Sequence, residues 1–176
     1  MKVLVIYDSA FGNTEQIAQA MGDALRSQED AGIVNDARIV RAGSARLEQL
    51  KGLDFLIVGS PTQGFKATEA TTQFLASIPD QALNGVKVAA FDTRFSIEDT
   101  KNFALRLLLK KGGFAARPIA ETLVKKGGEL IVPPEGFIVK EKKGPLKEGE
   151  LERAAAWARQ VVAAQPIAQQ PEPVVA

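Results

Sequence analysis

The chain has 176 residues with no cysteine and no histidine, and its 22 lysines and arginines against 21 aspartates and glutamates leave a net charge of +1. Those absences exclude disulfide scaffolds, thiolate or histidine metal sites, dithiol redox centres and the Ser–His–Asp mechanism, so any redox chemistry belongs to a bound organic cofactor. The cancelled charge offers no field for nucleic acid, and a composition of 45% hydrophobic and 24% charged residues is that of a globular domain.

The first apolar run, Val3-Leu4-Val5-Ile6-Tyr7, is too short to span a membrane or to serve as a signal-peptide core. It is continuous rather than alternating, which predicts a strand buried on both faces of a parallel sheet. Over 14–26, Ile17, Ala18, Met21 and Leu25 fall on one stripe and predict a helix. Further strands are predicted at 37–40, 55–58, 86–91 and 119–124, and further helices at 68–78, 98–110 and 150–163. Pro79 and Gly112-Gly113 end the second and third helices, and Trp157 rides on the last. The segment 125–149 is broken by Gly127-Gly128, Pro133-Pro134, Gly136 and Gly144-Pro145 and reads as irregular. Within it, Phe137-Ile138-Val139 is either a short strand or the second half of strand 5. After Ala164 the chain loses periodicity and carries three prolines, Pro166, Pro171 and Pro173. Residues 1–164 therefore read as one domain and 165–176 as a flexible tail.

Repeated strand–helix alternation predicts an α/β fold, a doubly wound five-stranded parallel sheet of order 2-1-3-4-5 with helices on both faces. Such a sheet holds its ligand beyond the carboxyl ends of strands 1, 3 and 4. After strand 1 come Asp8, Ser9, Ala10, Phe11, Gly12, Asn13 and Thr14, running straight into a helix. Ser9 and Thr14 supply hydroxyls, Gly12 and Asn13 suit a tight turn, and the helix amino terminus suits an anion. Either this is a phosphate cradle without a lysine or arginine, or Asn13 or Thr14 merely caps the helix. After strand 3 come Gly59, Ser60, Pro61, Thr62, Gln63, Gly64 and Phe65, with a pliable glycine and an apolar ring for a flat ligand. After strand 4 come Asp92, Thr93, Arg94, Phe95 and Ser96, in which Asp92 and Arg94 can form a local ion pair worth about 0–1 kcal/mol if it is exposed. All three loops are predicted at one sheet edge, where they would suit a mononucleotide with a planar ring system.

Residues 3–15, Val3-Leu4-Val5-Ile6-Tyr7-Asp8-Ser9-Ala10-Phe11-Gly12-Asn13-Thr14-Glu15, closely resemble the first strand and FMN-phosphate loop of flavodoxins, matching at Ser9, Gly12, Asn13 and Thr14. Phe11 stands where that family has threonine. Gly59-Ser60-Pro61-Thr62 and Ala90-Phe91-Asp92-Thr93-Arg94 sit where the family places its ring-contacting loops, and 144–153 resembles the lead-in to its last helix. The family is typically acidic and clamps its flavin between tryptophan and tyrosine. This chain is neutral and offers Phe65 and Phe95 as ring contacts instead.

The resemblance implies FMN as cofactor and electron transfer as function, with no catalytic residue and no metal. The cofactor-binding set it implies is Ser9, Ala10, Phe11, Gly12, Asn13 and Thr14 for the phosphate, with Ser60, Pro61, Thr62, Gln63, Gly64 and Phe65 and with Asp92, Thr93, Arg94 and Phe95 for the ring. Arg94, if it faces the ring, would raise its reduction potential. The implied protein is a cytoplasmic carrier, a monomer or weak dimer, with an unknown redox partner and no nucleic-acid or membrane partner. The alternatives are an FMN-dependent NAD(P)H or quinone oxidoreductase and a flavin-free interaction module on the same fold. The lysines between 125 and 147 are either a partner-docking face or a solvated loop.

Overall fold

Val3 and Val5 point to one face of the first strand and Leu4 and Ile6 to the other, and none of the four is more than 1% exposed. In this computed structural model, which describes residues 1–28, 33–96, 103 and 113–164, that double burial explains the continuous apolar runs. The strands are β1 (Lys2–Tyr7), β2 (Asp36–Arg41), β3 (Phe55–Pro61), β4 (Lys87–Phe95), β5 (Glu129–Leu130) and β6 (Glu135–Val139). They form one parallel sheet of order β2-β1-β3-β4-β5, with β6 also on β4. The expected α/β topology is thus the observed one.

Among the described residues the α-helices are α1 (Asn13–Arg26), α2 (Glu69–Ser77), α3 (Ala116–Lys125) and α4 (Glu150–Ala163). α1 and α4 cover one face with Ile17, Met21, Leu25, Trp157 and Val161. α2 and α3 cover the other with Phe74, Leu75, Ile119 and Leu123. Trp157 lies inside the first core, edge-on to Phe91 and Phe137 with centroids 6.2 and 6.1 Å away. The helix expected at 98–110, apart from Phe103, and the tail expected at 165–176 lie outside the described residues.

The strand predicted at 119–124 is instead the body of α3. Ile119, Ala120 and Leu123 are buried while Glu121, Val124 and Lys125 are exposed, a spacing of 3.6 rather than 2. The fifth strand comes later and in two pieces. β5 pairs with Lys87 and Val88, and β6 pairs with Phe91 to Phe95. Pro133 and Pro134 lie between them and have no N–H for the ladder. The Phe137-Ile138-Val139 run is therefore the second half of a split strand.

β6 turns back on itself beyond Val139, which bridges Leu146 in antiparallel fashion. The Lys147 N–H donates to the Ile138 carbonyl at 2.8 Å and the Lys140 N–H to the Pro145 carbonyl at 2.9 Å. α4 secures this ribbon from beneath, with the buried Glu150 carboxylate accepting from the Ile138 N–H at 2.7 Å and from Arg153 at 2.6 Å.

Candidate functional site

The carboxyl ends of β1, β3 and β4 meet around a cavity of about 520 Å³, within the usual range for a small-molecule site. The β1 loop supplies its floor. Gly12 precedes α1 at φ 85°, a left-handed conformation that suits glycine. Its N–H donates to Ser9 Oγ at 3.0 Å, which leaves the hydroxyl proton of Ser9 free to donate elsewhere. No side chain caps α1. The N–H groups of its first turn have no intrahelical acceptor, and the positive end of the helix dipole lies at Asn13 and Thr14, both of which line the cavity. The reading of Asn13 or Thr14 as a plain helix cap is therefore set aside, since Gly12 occupies the cap position.

Other contacts hold the loop in shape. The Thr14 and Thr93 hydroxyls are 2.8 Å apart across the buried floor. Arg41, at the end of β2, donates to Asp8 Oδ1 at 3.1 Å and to the Ser9 carbonyl at 2.6 Å. Burial pushes the Asp8 carboxyl upward, but hydrogen bonds from the Thr68 hydroxyl, the Ser9 N–H and Arg41 outweigh it and hold the group below its ordinary value.

Pro61, Thr62, Gln63 and Gly64 form the second wall. Gln63 and Lys66 exchange backbone hydrogen bonds of 2.9 and 3.1 Å around a tight turn. Both central residues of that turn are left-handed, Gly64 at φ 53° and Phe65 at φ 67°. Phe65 is not among the residues that line the cavity, so the wall does not include the ring offered as a contact. Thr93, Arg94 and Phe95 form the third wall, and Phe11 stands at the lip, 45% exposed.

Ser60 and Asp92 were also expected at the surface of the site, but both are completely buried behind it. Ser60 Oγ accepts the Thr68 N–H at 2.9 Å, bracing the second wall against the start of α2. Asp92 accepts Arg94 through both oxygens, with Nη2 to Oδ2 at 2.8 Å, and also takes the Ala116 N–H at 2.8 Å. The Thr62 hydroxyl bonds to Asp92 too, and its Oγ accepts the Ala115 N–H at 2.9 Å. The amino terminus of α3 is therefore capped by side chains from two of the cavity walls. Burial drives the Asp92 carboxyl above its ordinary value against the opposing pull of Arg94, Ala116 and Thr62.

The Arg94 guanidinium lies 4.0 Å from the Phe114 ring centroid and against Gly136, where a Cβ would come within 2.2 Å of Nε. It is 20% exposed and its partner is not exposed at all, so the pair is not the surface pair considered from sequence. Nor does Arg94 present an unopposed charge to the cavity, because Asp92 neutralises it. Gly12, likewise, shapes the turn without lining the space.

Val139 and Lys142 complete the lining, and sequence alone places neither in the cofactor site. There Val139 reads only as part of a short strand, and Lys142 only as part of a docking face or a solvated loop. Both come from the ribbon after β6, inside the segment read as irregular. The signals for them were the apolar triplet Phe137-Ile138-Val139 and the run of lysines around it. Among the described residues there is no cluster of metal-ligating side chains and no helix long and apolar enough to cross a membrane.

Comparison with known proteins places this geometry. The family model described as flavodoxin matches residues 5–92. A flavodoxin of Aquifex aeolicus (strain VF5) is 39% identical over 61 residues, a match taking in 35% of this chain and 31% of that protein's length. Among solved structures, a flavodoxin from the domain Archaea superposes with a TM-score of 0.67 at 22% identity, covering 93% of this chain and 97% of its own. Flavodoxin 1 from Bacillus cereus gives 0.68 at 19% identity, covering 93% and 98%. At those identities the structural likeness speaks for the fold.

Proposed function

The chain belongs to the flavodoxin family, and from that premise we propose that it binds FMN in the cavity at the carboxyl edge of the sheet and serves as an electron carrier. The observation that supports this most is the amino terminus of α1. It is uncapped, preceded by a left-handed Gly12, and opens onto a cavity of ligand size beside two hydroxyls. Such an end suits a phosphate dianion without any lysine or arginine, because the dipoles are fixed before the ligand arrives.

In this reading Ser9 donates its free hydroxyl proton to the phosphate, Thr14 does the same with Thr93 holding its orientation, and Asn13 and Thr14 add backbone N–H groups. Phe11 covers the outer side with a ring where a further hydroxyl would otherwise stand. Pro61 to Gly64 and Thr93 to Phe95 flank the ring system, with Phe95 as its aromatic neighbour and Val139 as an apolar one. When bound, FMN supplies the electron-transfer chemistry, and the protein contributes position and electrostatics. Asp92 and Arg94 act as a neutral unit that fixes both ring-side walls, so neither adds net charge at the ring.

Reconstitution tests the reading. Protein incubated with FMN and freed of excess should carry one flavin per chain and show the two-band visible spectrum of the oxidised cofactor. A colourless protein that takes up no FMN contradicts it.

A further inference from the structure

The rim of the cavity carries a charge that net composition conceals. Lys142 lines the mouth, and the Lys143 ammonium lies 5.9 Å from the centroid of the exposed Phe11 ring. Among the described residues neither lysine has a carboxylate partner. Among the described residues, the carboxylates on the loops and helix around the cavity are mostly committed elsewhere. Asp8 pairs with Arg41, Glu15 accepts from the Tyr7 hydroxyl at 3.0 Å, and Asp92 is buried beneath Arg94. Glu141 is the exposed carboxylate on the ribbon itself. Among the described residues no aspartate or glutamate lines the cavity.

This rim is built rather than dangling. The Asn13 side-chain amide donates to the Lys143 carbonyl at 3.2 Å, fixing the ribbon to the first turn of α1. Gly144, at φ 103°, packs so closely on Asn13 that a Cβ would sit 2.4 Å from its Oδ1. The Gly144 N–H closes the turn onto the Glu141 carbonyl at 3.0 Å. The backbone that carries the two lysines is thus fixed beside an apolar ring at the opening through which the cavity meets solvent.

We propose that the Phe11, Lys142 and Lys143 rim is the docking surface for a redox partner protein that surrounds its own redox centre with acidic side chains. The apolar ring gives such a partner a dry point of contact, and the paired lysines orient it. The chain has a net charge of +1, which a bound phosphate dianion turns to about −1. Either way the whole molecule exerts little long-range pull, so the local field of the rim decides the sign of electrostatic steering. The proposal rests on the FMN reading above, because it places electron exchange at this opening.

The experiment uses the FMN-loaded, dithionite-reduced protein and two small one-electron oxidants, anionic ferricyanide and cationic hexaammineruthenium(III). In stopped flow, the ferricyanide rate should fall as ionic strength rises and the ruthenium rate should rise. Lys142→Glu/Lys143→Glu should reverse both trends. Lys51→Glu/Lys125→Glu, with the same change in net charge at exposed positions away from the cavity, should leave them in place. In a second arm, which needs no flavin, a glutamate homopolymer added to the protein should shift the amide resonances of 11–14 and 139–146, and the Lys142/Lys143 variant should abolish those shifts. Identical salt trends in the two double variants, or shifts spread over the whole surface, overturn the docking assignment while the flavin reading stands. Failure to take up FMN overturns the cofactor reading, and this proposal with it.

Discussion

Asp92 is a fully buried carboxylate that gathers donors from Arg94, from Thr62 and from the first turn of α3. Removing one member of a buried ion pair leaves an uncompensated charge, which typically costs about 3–5 kcal/mol. Arg94→Gln should fall toward the lower end, because Arg94 itself is 20% exposed. The cost depends on pH in a defined direction. Asp92 binds its proton more tightly folded than unfolded, so stability falls as pH rises from its ordinary value of 3.8 through the folded one. Without Arg94 the folded value climbs further, and the deficit of Arg94→Gln is full above it and shrinks as the carboxyl is protonated. Urea unfolding at neutral and mildly acidic pH checks this, and a deficit that does not change between them counts against it. A second expectation concerns Thr14, whose hydroxyl sits on the cavity floor 2.8 Å from that of Thr93. Thr14→Val should weaken FMN binding by about tenfold, the scale of one hydrogen bond to a charged group, and leave riboflavin binding unchanged; isothermal titration with each ligand reads both. At this scale the sequence was informative about residue types but not about their settings. Asp92 and Arg94 were visible as an i, i+2 pair, yet their burial depends on Phe114 and Gly136, which are distant in sequence.

The two ends that carry the site are the amino terminus of α1 and the ribbon after β6, and Asn13 is the side chain that joins them. Gly144→Ala places a Cβ against Asn13 and forces a left-handed conformation on alanine. The ribbon should move off α1, lowering FMN affinity severalfold while α1 and the sheet stay folded. Circular dichroism together with FMN titration separates that outcome from general unfolding, and an unchanged affinity contradicts it. The elements were legible wherever a strand is buried on both faces, as with β1, β3 and β4, since nothing but a continuous apolar run satisfies that setting. Of the split fifth strand, β6 was visible as the Phe137-Ile138-Val139 run, but β5 was not legible, because it spans only two residues and two prolines separate it from β6. α3 drew the strand assignment to itself, since Ile119, Ala120 and Leu123 form a short apolar run whose helical period becomes clear only once its buried face is seen. Val139 and Lys142 were lost from the predicted site with that misplaced strand.

On the scale of the molecule, a sheet with a helix layer on each face presents one edge where three loops converge, and the chain places there almost all of its candidate ligand-binding side chains. A ligand held at that edge touches β1, β3, β4 and the ribbon together, so binding should stabilise the whole domain. With FMN at about 100 times its dissociation constant the gain is about 2.7 kcal/mol, which calorimetry should register as a rise in melting temperature of several degrees. If this edge recognises a flavin through its phosphate at the uncapped start of α1, removing the phosphate should weaken binding. The most direct measurement is the pair of dissociation constants of the apoprotein for FMN and for riboflavin, read by quenching of flavin fluorescence. FMN should bind at least tenfold more tightly than riboflavin, and Thr14→Val should narrow the gap. Equal affinities for the two, or no binding of FMN, would rule out recognition through the phosphate.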